Sequence, residues 1–260
     1  MSMHIGIDVG VIGLKAALLA DKGTVQAGQI GGQALRRLQD SPDGRYEIWV
    51  AEYRRTRGRP MQTLSQWISQ LLDVIGRDQI GGITVTGSGG DLAAKALRIP
   101  RCNEFQAITR AIDLLHPQVR TVFEIGGETS KFLRLEPDPG SGMLGIMDYS
   151  TNGDCAAGTG AFLDQQASRL KYAVEDIGRV VSEAERSAQI AGRCSVFAKS
   201  DMIHSQQKGF SPPEVLRGLC NAVATNYRSA VVKGREPKAP IALLGGVSAN
   251  SAVVRALTEV

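Results

Sequence analysis

His4-Ile5-Gly6-Ile7-Asp8-Val9-Gly10 and Thr121-Val122-Phe123-Glu124-Ile125-Gly126-Gly127 are two occurrences of one pattern, an apolar run that ends in a carboxylate and then a glycine turn. Each is followed by a second apolar run, Leu14-Lys15-Ala16-Ala17-Leu18-Leu19 after the first and Phe132-Leu133-Arg134-Leu135 after the second. Short apolar runs on either side of glycine read as strands joined by a tight turn. A repeat of strand, glycine turn and strand marks a duplicated α/β architecture, with one copy in residues 1–117 and the other in 118–260.

Between the copies, the spacing of Leu64, Ile68, Leu71, Leu72 and Ile75 predicts a helix over 61–75. A strand over 82–86 closes on Gly87-Ser88-Gly89-Gly90, and a helix follows over 104–115. After the second turn the pattern predicts a strand over 142–149 and helices over 157–170, 197–207 and 212–232. Ser211 before Pro212-Pro213-Glu214 is a helix-opening signal. The last strand, 241–244, opens onto Gly245-Gly246-Val247-Ser248-Ala249-Asn250. Glycine lets backbone come close to a flat or anionic ligand, and the helix that follows offers unpaired amides. One such loop is an ordinary tight turn; three in this order can surround a nucleotide.

Composition excludes several classes. No run approaches the roughly 20 apolar residues that a bilayer requires. The N-terminus enters a strand without the charged and apolar regions of a signal peptide, so the sequence reads as cytoplasmic with no membrane partner. The net charge of +4 is modest, and the isolated Arg54-Arg55-Thr56-Arg57-Gly58-Arg59 reads as a solvated loop, not a nucleic-acid surface. The four cysteines are too dispersed for a disulfide framework. With three histidines and no Cys-x-x-Cys, zinc fits poorly. Cys102 and Cys220 carry no motif and read as small buried hydrophobes. Cys155 and Cys194 differ, because each opens a distinct motif: Cys155-Ala156-Ala157-Gly158-Thr159-Gly160 and Cys194-Ser195-Val196-Phe197-Ala198.

Taken in order, the Asp8 and Glu124 turns, these two cysteine motifs and the 245–250 loop resemble the activator ATPases of 2-hydroxyacyl-CoA dehydratases. They are similar also to the ATPase subunits of benzoyl-CoA reductases, and the resemblance covers nearly the whole chain. It implies the actin, hexokinase and Hsp70-like fold, with residues 1–117 and 118–260 as two ribonuclease-H-like halves closing on ATP or ADP. It implies phosphates near Gly10, Gly126 and Gly127 and adenosine near Gly245 and Gly246. Asp8 and Glu124 would hold Mg2+, and Lys15, Ser130, Lys131 and Asn250 would supply further nucleotide contacts. A homodimer would hold one [4Fe-4S] cluster through Cys155 and Cys194 of each subunit, since two thiolates are half of what a cubane usually takes. The amide-rich start of the helix expected near Ala157 would face that cluster. On this reading an ATPase coupled to electron transfer takes an electron from reduced ferredoxin or flavodoxin. It passes that electron to a (R)-2-hydroxyacyl-CoA dehydratase or acyl-CoA reductase component.

The resemblance also has departures. Val11-Ile12-Gly13-Leu14 stands where the family has hydroxyl residues, Glu124 replaces an aspartate, and Glu128 replaces a neutral amide. These changes imply slow or absent hydrolysis. The family continues beyond the position of Val260, and Tyr53 to Pro60 resembles long fused members, so the sequence is expected to be the N-terminal domain of a longer polypeptide. Two alternatives remain: a degenerate, non-hydrolysing regulatory copy, and a sugar or acyl kinase of the same fold with Asp8 or Glu104 as acid or base. The kinase leaves both cysteine motifs unexplained.

Overall fold

The computed structural model describes residues 3–25, 35–153, 156–191 and 195–260; Cys155 and Cys194 lie outside them. The chain divides into two compact units, Met1–Pro117 and Gln118–Val260.

The first unit is built on a mixed sheet. Its strands are β1 (Met3–Val9), β2 (Gly13–Asp21), β3 (Leu35–Asp40), β4 (Tyr46–Ala51), the short β5 (Arg54–Arg55) and β6 (Ile80–Thr86). The order is β3-β4-β2-β1-β6, with β5 paired to β2. Met3, Ile5, Ile7 and Val9 alternate with exposed residues on β1, as do Leu14, Ala16, Leu18 and Ala20 on β2, and so each strand lays one apolar face on the core. Helix α1 (Pro60–Ile75) covers that face with a stripe of Leu64, Trp67, Leu71 and Ile75. Trp67 thus takes the buried position that the sequence spacing gave to Ile68. Pro60 opens α1, where its missing N–H has no helical partner to lose, and Gly76 at φ 88° stops it in a conformation that glycine tolerates. Helices α2 (Gly90–Leu97) and α3 (Glu104–Leu115) follow; Asn103 caps α3 by accepting from Phe105 N–H at 2.9 Å.

The arginine run departs from the solvated loop expected of it. Arg54 and Arg55 pair with Leu14 and Gly13 of β2, and Thr56 is only 2% exposed.

The second unit has a four-stranded sheet in the order β10-β7-β8-β9. Here β7 (Thr121–Ile125), β8 (Ser130–Pro137) and β9 (Leu144–Thr151) form an antiparallel meander, and β10 (Ile241–Leu244) runs parallel to β7. Its helices are α4 (Gly160–Arg169), α5 (Ile177–Val181), α6 (Ser195–Gln207), α7 (Pro212–Asn226) and α8 (Ser251–Glu259). Phe132 of β8, Phe162 and Leu163 of α4, Leu219 and Val223 of α7 and Val253 of α8 share one core. Each such side chain contributes about 1.5–3 kcal/mol by leaving water.

Two helices differ from their sequence expectation. A 3-10 turn at Ala156–Gly158 comes first, and α4 starts only at Gly160. The expected helix over 212–232 is α7 followed by a π-helical turn, Tyr227–Val232, that ends at Lys233 in the left-handed region. The start of α7 is the capping box that Ser211 foreshadowed: Glu214 accepts from Ser211 N–H at 2.8 Å and from Arg186 Nε at 2.7 Å. Among the described residues no helix is long and apolar enough to cross a membrane.

Candidate functional site

In the first unit the strand register sets Asp8 opposite Lys15, and Lys15 Nζ lies 2.7 Å from Asp8 Oδ2. The side chains are 48% (Lys15) and 38% (Asp8) exposed, so the pair is weak in itself and open to a ligand. At the turn, Gly10 N–H donates to the Gly13 carbonyl at 3.1 Å. The loop after β6 closes on the same place. Gly89 N–H donates to the Val9 carbonyl at 2.8 Å, and a Cβ on Gly87, whose φ is +93°, would fall 2.3 Å from Asp8 Oδ1. Sequence reasoning did not place Gly87 at the site; its signal was the Gly87-Ser88-Gly89-Gly90 run ending a strand parallel to β1. Thr56 fastens the turn from a third direction, with its N–H on the Ile12 carbonyl at 2.9 Å and its hydroxyl on the Val11 carbonyl.

The second unit repeats the arrangement in a drier setting. Glu124 faces Lys131 across β7 and β8, Nζ to Oε2 is 3.0 Å, and the side chains are 14% and 5% exposed. Lys131 also donates to Thr129 Oγ1 at 2.8 Å, and Tyr227 O–H donates to the Lys131 carbonyl at 2.7 Å. Burial, and secondarily the Glu124 charge, hold the Tyr227 phenol above its ordinary range. Gly126 turns the hairpin with its N–H on the Thr129 carbonyl at 2.9 Å, and a Cβ there would meet Glu124 Oε1 at 2.8 Å. The third glycine loop lies directly on the second, because a Cβ on Gly245 (φ +87°) would fall 2.3 Å from the Ile125 carbonyl oxygen. Gly246 faces open space. Asn250 caps α8, its Oδ1 accepting from Ala252 and Val253 N–H at 3.0 and 3.3 Å. Its Nδ2 is buried with no partner among the described residues.

Ser130 is fully buried. Its hydroxyl donates to the Gly158 carbonyl at 2.7 Å and its N–H to Asn152 Oδ1 at 2.9 Å. At the start of α4, Gly160 N–H donates to the Gly126 carbonyl at 2.8 Å and Ala161 N–H to the Gly127 carbonyl at 2.7 Å. These hydrogen bonds tie the second glycine loop to the 152–161 segment, within which Cys155 falls. The first amides of α4 are therefore directed at the glycine loop.

Glu104 occupies the first turn of α3, where a negative charge complements the helix dipole. Cys220 is a core residue whose thiol burial pushes up to about 12, and Cys102 is partly exposed. Among the described residues no group of three or more His, Cys, Asp or Glu converges.

Two α/β units, each opening on a glycine hairpin that sets a carboxylate opposite a lysine, have the duplicated architecture of the actin, hexokinase and Hsp70-like fold. The chain belongs to the BadF/BadG/BcrA/BcrD ATPase family, which matches residues 5–260. It is 30% identical over 185 residues to the 2-hydroxyisocaproyl-CoA dehydratase activator of Clostridioides difficile, covering 71% of this chain and 66% of that protein. It is 33% identical over 158 residues to the activator of lactoyl-CoA dehydratase of Anaerotignum propionicum, covering 61% and 59%. The chain thus spans less than two thirds of the length of these relatives. Component A of the Acidaminococcus fermentans (R)-2-hydroxyglutaryl-CoA dehydratase has the same fold, with a TM-score of 0.76 at 23% identity over 100% of this chain and 88% of that one. The Clostridium difficile activator with bound ADPNP matches with a TM-score of 0.75 at 23% identity, over 99% and 85%.

Proposed function

We propose that this chain is an ATP-dependent activator that donates one electron to a (R)-2-hydroxyacyl-CoA dehydratase or acyl-CoA reductase component. It works as a homodimer recharged by reduced ferredoxin or flavodoxin. Family membership and the names of its relatives support the activator role. The observation that carries the reading is the set of hydrogen bonds that Gly126 and Gly127 accept from Gly160 and Ala161 and that Ser130 donates to Asn152 and Gly158, on the segment around Cys155.

The residues fit a nucleotide. Gly10, Gly126 and Gly127 place no side chain between the hairpin backbone and a phosphate, and Lys15 and Lys131 bring positive charge to the same hairpins. Gly246 offers an open surface for adenosine. The unpartnered Nδ2 of Asn250 costs about 1–3 kcal/mol if nothing meets it, and a nucleotide group at the third loop would satisfy it. Asp8 and Glu124 supply the hard oxygen donors that Mg2+ prefers. Cys155 and Cys194 of two chains would hold a [4Fe-4S] cluster, which supplies one-electron chemistry when bound.

The chain's own part is transmission. Any shift of Gly126 and Gly127 on nucleotide binding or hydrolysis pulls the amides of Gly160 and Ala161, while Ser130 pulls the Gly158 carbonyl. Asn152 before Cys155 and Gly158 after it are thereby both tied to Ser130. Packed, hydrogen-bonded elements pass such displacements on as discrete rearrangements.

Protein purified without oxygen tests the reading. It is expected to be coloured and to contain about four irons per two chains. Cys155→Ser and Cys194→Ser should each remove the iron and leave the fold intact by circular dichroism. A colourless, iron-free native protein, or full iron in both variants, would overturn it. A non-hydrolysing regulatory copy is the second reading, favoured by the absence of hydroxyls at Val11 and Ile12 and by the added charge of Glu128.

A further inference from the structure

The sheet of the first unit sets three polar residues in one row. Asp8 of β1 is registered with Lys15 of β2 on one side and, in the parallel pairing, with Thr86 of β6 on the other. Residues in register point to the same side of a sheet. Ile7 and its partner Val85 are buried in the core, so Asp8 and Thr86, next along each strand, occupy the opposite face together with Lys15. Thr86 Oγ1 is buried and has no hydrogen-bond partner among the described residues. A buried hydroxyl left unpaired is unfavourable. The carboxylate beside it is half used. Its Oδ2 accepts from Lys15 Nζ at 2.7 Å, whereas no described residue donates to Oδ1, which lies against Gly87, the residue after Thr86. An unused donor and an unused acceptor thus stand at adjacent register positions beside the first glycine turn.

We propose that Thr86 is a positioning residue for Asp8: its hydroxyl donates to the Asp8 carboxylate once Lys15 turns to a nucleotide phosphate, and so fixes the oxygen that Asp8 offers to Mg2+. This role rests on the reading of Asp8 as a magnesium ligand. In the nucleotide-free chain Lys15 holds Asp8 and the Thr86 hydroxyl stays unpaired. A phosphate carries more negative charge than a carboxylate and draws the ammonium away. Asp8 then has no other donor among the described residues. Thr86 supplies the replacement from the neighbouring strand, roughly 4.8 Å away, which a hydroxyl and a carboxylate can span. The unpaired hydroxyl destabilises the empty protein and is satisfied in the loaded one.

Thr86→Val, which keeps the branched shape and removes the hydroxyl, tests this in the full chain through melting temperature and calorimetric ADPNP affinity with and without Mg2+. The nucleotide-free variant should melt above the native protein, since no unpaired hydroxyl remains. Mg2+ should strengthen ADPNP binding about tenfold less in the variant than in the native protein. Thr86→Ser, which keeps the hydroxyl, should restore the native response to Mg2+. In an Asp8→Ala background Thr86→Val should cause no further loss, as expected when one residue acts through the other. An equal strengthening by Mg2+ in Thr86→Val and native protein overturns the proposal. So does a melting temperature several degrees below native, which would make the hydroxyl a structural partner. If Asp8→Ala itself leaves the response to Mg2+ unchanged, the magnesium role of Asp8 falls and this assignment with it. If Asp8→Ala weakens the response and Thr86→Val does not, this assignment alone falls.

Discussion

Lys131 reaches across its hairpin to bring its ammonium 3.0 Å from the Glu124 carboxylate, with both side chains nearly withdrawn from water. Asp8 and Lys15 hold the same strand positions, the lysine again seven residues after the acid, but in solvent.

The two pairs should therefore differ sharply on mutation. Lys131→Met takes the ammonium away from the Glu124 carboxylate in a dry site and should destabilise the protein by about 3–5 kcal/mol. Lys15→Met removes an exposed pair and should change stability by less than about 1 kcal/mol. Urea unfolding of both variants measures the difference, and equal losses would show that the second hairpin is as wet as the first.

Gly245 and Gly246 should separate in the same way. Gly245→Ala combines a positive φ with a Cβ 2.3 Å from the Ile125 carbonyl, so it must push the third loop off the second. Thermal unfolding should fall by several degrees, and the shift produced by Mg-ATP should vanish. Gly246→Ala points into open space and should leave the unliganded melting temperature near the native value.

Much of this was legible in the chain. Period-two burial on β1 and β2 and the carboxylate-glycine ends located both hairpins, because a strand face on a core leaves a strong imprint. The charged β3 strand left none: only Leu35 is buried, and Arg36 and Arg37 are the solvated residues of an edge strand. The approach of Gly87 to Asp8 and the Arg55–Gly13 pairing are likewise long-range contacts without local periodicity. Ser130 is expected to contact the nucleotide from its place in the motif, but the bond its hydroxyl donates to Gly158, a partner 28 residues away, has no local signal.

Turnover tests the glycine turns themselves. Val11 and Ile12 have no side-chain donor, and one donor lost from developing charge costs on the order of a hundredfold in rate. Glu128 is exposed beside the second loop and adds charge to a transition state already rich in it. Val11→Ser with Ile12→Thr and Glu128→Gln should raise ATP hydrolysis. Native turnover equal to that of the restored variant would show these departures to be neutral.

Acid stability should depend on the α7 capping box. The Ser211 backbone N–H, and then Arg186, hold the Glu214 carboxyl below the usual carboxylate range. A folded-state pKa lowered in this way contributes stability that is fully present above the ordinary value of about 4.3 and is lost as pH falls through the folded value. Glu214→Gln should flatten the decline of melting temperature below pH 5. An identical decline in the variant would place the acid-sensitive group elsewhere.

Amide hydrogen exchange of the anaerobic protein, with and without Mg-ADPNP, measures the link between the nucleotide loop and the cysteine segment. Protection should change together in residues 126–131 and 156–161, and Ser130→Ala, which cuts the hydrogen bond to Gly158, should weaken the response in the second stretch more than in the first. A change confined to 126–131, with 156–161 unaltered by nucleotide, would contradict transmission from the second glycine loop to the Cys155 segment.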